Sequence, residues 1–351
     1  MLFEESDLLK ALPEQFFAGL VAKVNAKVAE GADVINLGQG NPDQPTYDHI
    51  VEALCLSAKN PASHKYSQFR GNRPFKEAAA SFYRKHYEVD LDSESEICVM
   101  GGAKIGLVEL PLALMNPGDL LLLPDPGYPD YLSGVSLGRV TYETFPLTAK
   151  NDFLPDLDAI PEETARRAKF IYINYPNNPT GAVATKAFYE KLVAWAKTYE
   201  VGVVSDLAFA AGNARMIEAL NLIQDHLFVG IFPALQEAGI AALLDPKSEE
   251  AVAQLNAVYD SRRDAFTQSA AKIGWQAFPS KGSFYAWMPV PEGYTSESFA
   301  DLLLEKAHVA VAPGKGFGPA GDAYVRIGLL VEPERLVEAV DRIANLHLFN
   351  N

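Results

Sequence analysis

The residues able to do chemistry fall in four short groups. Asp206 closes an apolar run, Gly202-Val203-Val204-Ser205, and a carboxylate at the end of a buried strand needs a partner. A protonated ring nitrogen would serve. The Asn178 amide in Asn178-Pro179-Thr180-Gly181 could donate to a phenolic oxygen on the same ring; a loop cap is the plain alternative for each. Gly101-Gly102-Ala103-Lys104-Ile105-Gly106 lies between a strand and a helical run. Small residues there let backbone N–H groups at a helix N-terminus approach a phosphate, although such a loop alone is more often a simple turn. Asp125-Pro126-Gly127-Tyr128-Pro129 fixes an aromatic between prolines, able to stack on a flat ring or merely to pack. Tyr324-Val325-Arg326-Ile327-Gly328 places a guanidinium in an apolar strand. Its fork matches a carboxylate bidentately, and an internal ion pair is the alternative.

The elements that must position these groups alternate between short β-rich runs and helical patterns, the signature of an α/β protein with a parallel sheet wrapped by helices. Strands are predicted at Glu96–Met100, Asp119–Pro124, Arg139–Phe145, Lys169–Asn174 and Gly202–Asp206. Several are apolar at consecutive positions, as strands buried on both faces should be. Between the last two, Thr185 caps a helix whose Phe188, Leu192, Val193, Ala196 and Tyr199 share an apolar face. That βαβ unit brings the Asn178 turn and Asp206 to carboxyl ends of parallel strands, where open α/β sheets bind ligands. The last hundred residues read as a smaller α+β unit: a helix over 250–271, Phe284–Met288, a helix over 296–307, and strands at Val309–Ala312 and Ala323–Leu329. Val34–Leu37 is expected to join it, which divides the chain into a large domain, 46–250, and a small domain of 1–45 with 251–351.

Thirty Lys plus Arg against 45 Asp plus Glu leave a net charge of −15. A surface so acidic repels phosphate backbones, which excludes nucleic acid as a partner. Two distant cysteines, Cys55 and Cys98, argue against a disulfide framework or a zinc site and suit a reducing compartment. The acidic start Met1–Asp7 lacks signal-peptide order, and apolar runs such as Leu120–Leu123 are too short to span a bilayer. A cytoplasmic protein with no membrane contact and no metal is expected.

Together, in this order and spacing, the four groups resemble the class I aminotransferases of the aspartate-aminotransferase-like, pyridoxal-phosphate-dependent fold type I. That fold has a large doubly wound, mostly parallel sheet domain and a smaller α+β domain. The resemblance runs from Asn36-Leu37-Gly38-Gln39-Gly40-Asn41-Pro42-Asp43 to Arg326, and Leu37–Pro45 and Tyr175–Thr185 look closest to the methionine-salvage transaminases of bacilli. It implies pyridoxal 5′-phosphate (PLP) as cofactor. Ala103 and Lys104 would meet its phosphate, Tyr128 its ring face, Asn178 its 3-oxygen and Asp206 its N1. Gly40 and Arg326, with Asn178, would hold the substrate α-carboxylate. Tyr66 matches a Tyr that reaches the neighbouring subunit's phosphate, implying a homodimer.

Two departures stand out. The family carries Tyr three residues after the N1-binding Asp, where this chain has Phe209, which cannot donate. After Ala210 the family continues through a Ser-x-x-Lys and a following Arg; the Lys forms the Schiff base and the Arg binds the phosphate. Here Ala211-Gly212-Asn213-Ala214-Arg215-Met216-Ile217 follows directly, matching the family well downstream. By that resemblance roughly forty residues, with two strands, are absent between 210 and 211, which would expose sheet edges and apolar helix faces. None of Lys104, Lys281 and Lys315 lies on a strand beside Asp206, so no catalytic lysine is identified and the 351-residue chain is expected to be inactive. The expected function is transamination between an amino acid and a 2-oxo acid with an apolar, thioether or aromatic side chain. The alternatives are a non-catalytic binding protein on the same fold and a PLP-dependent C–S lyase.

Overall fold

The computed structural model describes residues 3–13, 16–206, 210–228 and 230–349, so Phe209 lies outside the described residues. Eleven strands form among the described residues. In chain order they are β1 (Ile35–Asn36), β2 (Ile97–Cys98), β3 (Leu120–Asp125), β4 (Thr141–Pro146), β5 (Ala168–Ile173) and β6 (Gly202–Ser205). There follow β7 (Ala210–Ala211), β8 (Tyr285–Pro289), β9 (Val309–Ala310), β10 (Ala312–Pro313) and β11 (Tyr324–Gly328).

Four consecutive leucines suit β3 because it lies inside a parallel sheet ordered β4-β3-β5-β6, with both faces covered. Side chains alternate across a strand, so Leu120 and Leu122 pack with Phe145, Ile171, Leu192 and Trp195. Leu121 and Leu123 enter the opposite core with Leu107, Tyr131, Phe170 and Tyr172. The Lys186–Tyr199 helix links β5 to β6. The Thr185 hydroxyl accepts the Phe188 N–H at 3.2 Å, satisfying one donor of its first turn. Phe188, Leu192 and Ala196 are buried as expected, but Val193 faces solvent and Trp195 takes the inward position. The helical period puts 195, not 193, on the face shared by 188 and 192.

The remaining strand of this region, β2, pairs antiparallel with β7 in a separate two-stranded sheet. β6 is hydrogen-bonded to β5 alone among the described residues, and all its residues are only half-buried.

The C-terminal elements surround Phe266, Trp275, Phe299, Ile327 and Val340. Antiparallel β10-β11-β8 sets Arg326 opposite Trp287. The strand predicted at Val309–Ala312 divides in two, β9 pairing in parallel with β1 and β10 with β11. Val34–Leu37 therefore joins this region as expected, through Ile35 opposite Val309. The helix predicted over 296–307 is α-helical through Leu302 and closes in a π turn, Leu303–Ala307.

Candidate active site

A cavity of about 770 Å³ brings together Gly40, Ala103, Lys104, Tyr128, Asn178, Asp206 and Arg326. Tyr66, the eighth residue singled out in sequence, is elsewhere. It is 88% exposed on the wall of a separate open depression near the Asp48–Ala58 helix.

Three of these side chains sit where parallel strands end: Tyr128 beyond β3, Asn178 beyond β5 and Asp206 beyond β6. The Asp206 N–H donates to the Ile173 carbonyl at 2.9 Å, the last rung between β5 and β6. Its carboxylate accepts the Tyr131 hydroxyl at 3.0 Å. Burial pushes the Asp206 carboxyl above the ordinary aspartate range, and the Tyr131 hydrogen bond opposes that shift. Tyr131 is itself buried, edge-on to Tyr128 and to Tyr172. The Asn178 turn is held from within: Asn174 Oδ1 accepts the Asn178 N–H at 2.7 Å, and Asn177 Oδ1 accepts the Thr180 hydroxyl at 2.7 Å.

Arg326 is the least ordinary residue of the cavity. It is 1% exposed, yet no carboxylate of the described residues pairs with it. Nη1 donates to Asn178 Oδ1 at 2.9 Å and Nη2 to the Gly38 carbonyl at 3.4 Å; Nε has no partner. The guanidinium carbon lies 4.1 Å from the Tyr285 ring centre, 4.8 Å from Phe317 and 5.2 Å from Phe17. Burial pulls its pKa down to about 10. Among the described residues an internal ion pair, one of the two readings of this residue, is therefore absent, and the fork is left for an incoming anion. Gly40 is small for this reason: a Cβ there would come within 3.0 Å of the Tyr285 hydroxyl and 3.3 Å of Arg326 Nη2.

At the other end, Gly102 has φ +122° and leads into the Ala103–Leu114 helix. That left-side backbone suits glycine, and the first N–H groups of the helix have no intrahelical acceptor. Lys104 is held by Asp130, Nζ to Oδ2 at 2.7 Å. The turn therefore offers backbone donors and a helix N-terminus to an anion.

The carboxylate and aromatic face at the parallel strand ends, the anion-binding start of the Ala103–Leu114 helix and Arg326 on β11 together suit a PLP-fold transferase. The model of the family described as "Aminotransferase class I and II" matches residues 32–212 and 207–343, and the chain belongs to that family. Its cofactor is pyridoxal 5′-phosphate, and its reaction class is transamination between an amino acid and a 2-oxo acid. The chain is 51% identical to the L-glutamine–4-(methylsulfanyl)-2-oxobutanoate aminotransferase of Bacillus subtilis, over 99% of this chain and 98% of that protein. It is 41% identical to the LL-diaminopimelate aminotransferase of Aquifex aeolicus, over 99% and 100%. Among solved structures, substrate-bound BacF of Bacillus subtilis superposes with a TM-score of 0.91 at 41% identity, covering 99% of this chain and 98% of that one.

The alignment with the 51% relative extends over 391 positions against the 351 residues here, so about forty positions of it have no counterpart in this chain. The family match is likewise in two stretches that meet at 207–212. The residues present fit the ring and phosphate of the cofactor, through Asp206, Tyr128 and the turn at Gly102–Ala103. They do not fit its covalent attachment: Lys104 is the one lysine on the cavity wall among the described residues, and Asp130 engages it.

Sequence reading missed Tyr131, Asn174 and Tyr285. Tyr131 lies three residues after Tyr128, one helical turn on, and Asn174 precedes the Asn178 turn by four. Tyr285 in an apolar strand carried no signal apart from its phenol.

Proposed function

We propose that the cavity takes amino acids and 2-oxo acids with uncharged apolar, thioether or aromatic side chains, and that Arg326 grips their α-carboxylate. The observation that carries this is the cation inventory. Arg326 and Lys104 are the cations lining the cavity among the described residues, and Lys104 is already paired. One free guanidinium accepts one carboxylate. The Phe16–Ala29 helix adds Phe17, Leu20 and Val21 to the wall beside Asn25, and a second carboxylate finds no further cation among the described lining residues. The 51% relative is named for such a thioether 2-oxo acid.

Bound PLP supplies an electron sink for the substrate carbanion. In this reading Asp206 holds a proton at the ring nitrogen, Tyr128 flanks the ring, and Asn178 donates its free amide N–H to the ring oxygen. Ala103 and Lys104 start the helix that receives the phosphate, and Gly40 leaves room for the carboxylate against Arg326. The 351-residue chain holds the cofactor without a covalent link and does not turn over. The large and small domains are 46–250 and 1–45 with 251–351: the core around Phe266 and Ile327 is drawn from the small domain alone, and Trp287, Ala312 and Phe317 join it to the core of Leu120 and Leu192. The functional unit is a homodimer: Tyr66, Leu56, Phe69 and Leu235 are exposed apolar side chains, and Tyr66 reaches the partner's site. It works in the cytoplasm, which agrees with two free cysteines; no helix of the described residues is long and apolar enough to cross a membrane.

Calorimetry with PLP present tests the substrate reading on the chain as it stands. 4-(Methylsulfanyl)-2-oxobutanoate is expected to bind more tightly than oxaloacetate; the reverse order overturns the assignment. Borohydride treatment followed by intact mass is expected to leave the protein unmodified by PLP.

A further inference from the structure

Asp43 and Arg262 lie outside the cavity, yet they fasten one of its walls. Leu37 is the last residue of its segment held by the sheets: its N–H donates to the Ala310 carbonyl at 2.8 Å, and its carbonyl accepts the Gly328 N–H at 2.6 Å. Residues 38–46 then take part in no backbone–backbone hydrogen bond among the described residues. This stretch carries Gly38, whose carbonyl meets Arg326 Nη2, and Gly40, where a Cβ would meet Arg326 and Tyr285. Within it, the Gly38 N–H reaches Asn36 Oδ1 at 3.1 Å and the Gly40 carbonyl accepts the Tyr285 hydroxyl at 3.4 Å. Its outer anchor is Asp43. Arg262, on the Lys247–Lys272 helix, donates Nη1 to Asp43 Oδ1 and Nη2 to Oδ2, both at 2.9 Å. The Tyr259 hydroxyl adds a longer contact to Oδ1 at 3.4 Å.

We propose that Arg262 is a positioning residue for the α-carboxylate site, fixing through Asp43 the segment that sets Gly38 and Gly40 against Arg326. The same guanidinium donates to the Leu329 carbonyl at 3.4 Å, one residue beyond β11, the strand of Arg326. One side chain thus ties together the loop and the strand that form the two halves of the site. Stability does not call for this pairing. Arg262 is 1% exposed with its Nε unpartnered, and a buried ion pair offsets little more than its own desolvation. What the planar fork supplies is geometry: two parallel bonds fix the Asp43 carboxylate in distance and orientation, where a lysine would fix a point. The proposal rests on the reading that Arg326 and Gly40 receive the α-carboxylate.

Binding by the 351-residue protein in the presence of PLP tests it with two ligands. 4-(Methylsulfanyl)-2-oxobutanoate carries the carboxylate; 4-(methylsulfanyl)butan-2-one is the same ketone without it. Because Arg262 is buried, the loop side of the pair is the one to change, by Asp43→Ala and by the milder Asp43→Asn, which keeps the side chain's size and its fold. Asp43→Ala is expected to raise the Kd of the acid roughly tenfold and that of the ketone by less than about twofold. Asp43→Asn is expected to shift the acid in the same direction and by less. Nη2 of Arg262 also donates to Glu332 Oε1 at 2.9 Å, at the start of the Pro333–Ala344 helix. Glu332→Ala removes that second carboxylate and is expected to leave both ligands unchanged. A loss shared equally by acid and ketone, or by Asp43→Ala and Glu332→Ala, marks a merely structural pair and overturns the proposal. An unchanged Kd for the acid in both Asp43 variants overturns it as well. Arg326→Met, measured alongside, separates the two failures. If it weakens the acid and the Asp43 variants do not, positioning alone fails; if it leaves the acid unchanged, the carboxylate reading fails and the proposal with it.

Discussion

Replacing Arg326 by Met separates a ligand-binding cation from a structural one. The side chain is fully buried, so its charge carries a desolvation cost of several kcal/mol. Against that stand a charge-assisted hydrogen bond to Asn178, worth about 1.5–3 kcal/mol, a longer one to the Gly38 carbonyl, and three aromatic faces within 5.2 Å, each worth roughly 0.5–2 kcal/mol. The opposing effects nearly cancel, and Met of comparable length fills the space. The unfolding free energy of Arg326→Met in urea is therefore expected to change by less than about 2 kcal/mol. Ligand binding has no such compensation. Losing a bidentate guanidinium–carboxylate contact costs about 2–4 kcal/mol, which is a rise in Kd of roughly 30- to 900-fold for 4-(methylsulfanyl)-2-oxobutanoate. Calorimetry on the folded variant reads that loss, and the PLP absorbance is expected to persist. If the variant loses more than about 4 kcal/mol of stability while its folded fraction binds the 2-oxo acid unchanged, the carboxylate role fails.

Asp206→Asn probes the half-buried carboxylate of the cavity. Burial raises its folded pKa, so the stability this group contributes is present below the usual carboxylate range and lost as pH rises through the raised value. The variant is expected to be more stable than the parent at pH 7, to lose that advantage on acidification below the aspartate range, and to bind PLP more weakly. Denaturant curves at several pH values check the first two. Gly40→Ala sets a Cβ 3.0 Å from the Tyr285 hydroxyl, and crowding of this kind is expected to cost roughly 1–3 kcal/mol of 2-oxo acid binding by calorimetry. Thr185→Ala removes the cap of the Lys186–Tyr199 helix. It is expected to cost about 1 kcal/mol in urea unfolding with ligand affinity unchanged. Size-exclusion with light scattering is expected to find a dimer, and Leu56→Glu, which charges an exposed apolar position, to shift it toward monomer.

By itself the sequence determined the elements and most of the site. Consecutive leucines in β3, the Thr185 cap and the strand-terminal positions of Asn178 and Asp206 are local statements, and period and capping are legible wherever a residue's neighbours in sequence are also its neighbours in space. The break at 210/211 was legible too, because it interrupts a motif order. Tertiary structure alone decided that Arg326 has no carboxylate partner among the described residues, that Tyr131 holds Asp206, and that Tyr285 lies over the guanidinium. Each depends on chains far apart in sequence meeting at one cavity: Tyr131 and Asp206 are 75 residues apart, and Gly38 and Arg326 are 288 apart. It also decided what the break does. A run of valines reads as an interior strand, and only the pairing of β6 with β5 and of β7 with β2 shows that no strand joins the two among the described residues. Hydrogen-bond partners across a sheet are non-local, and no pattern along one strand records whether its second edge is filled.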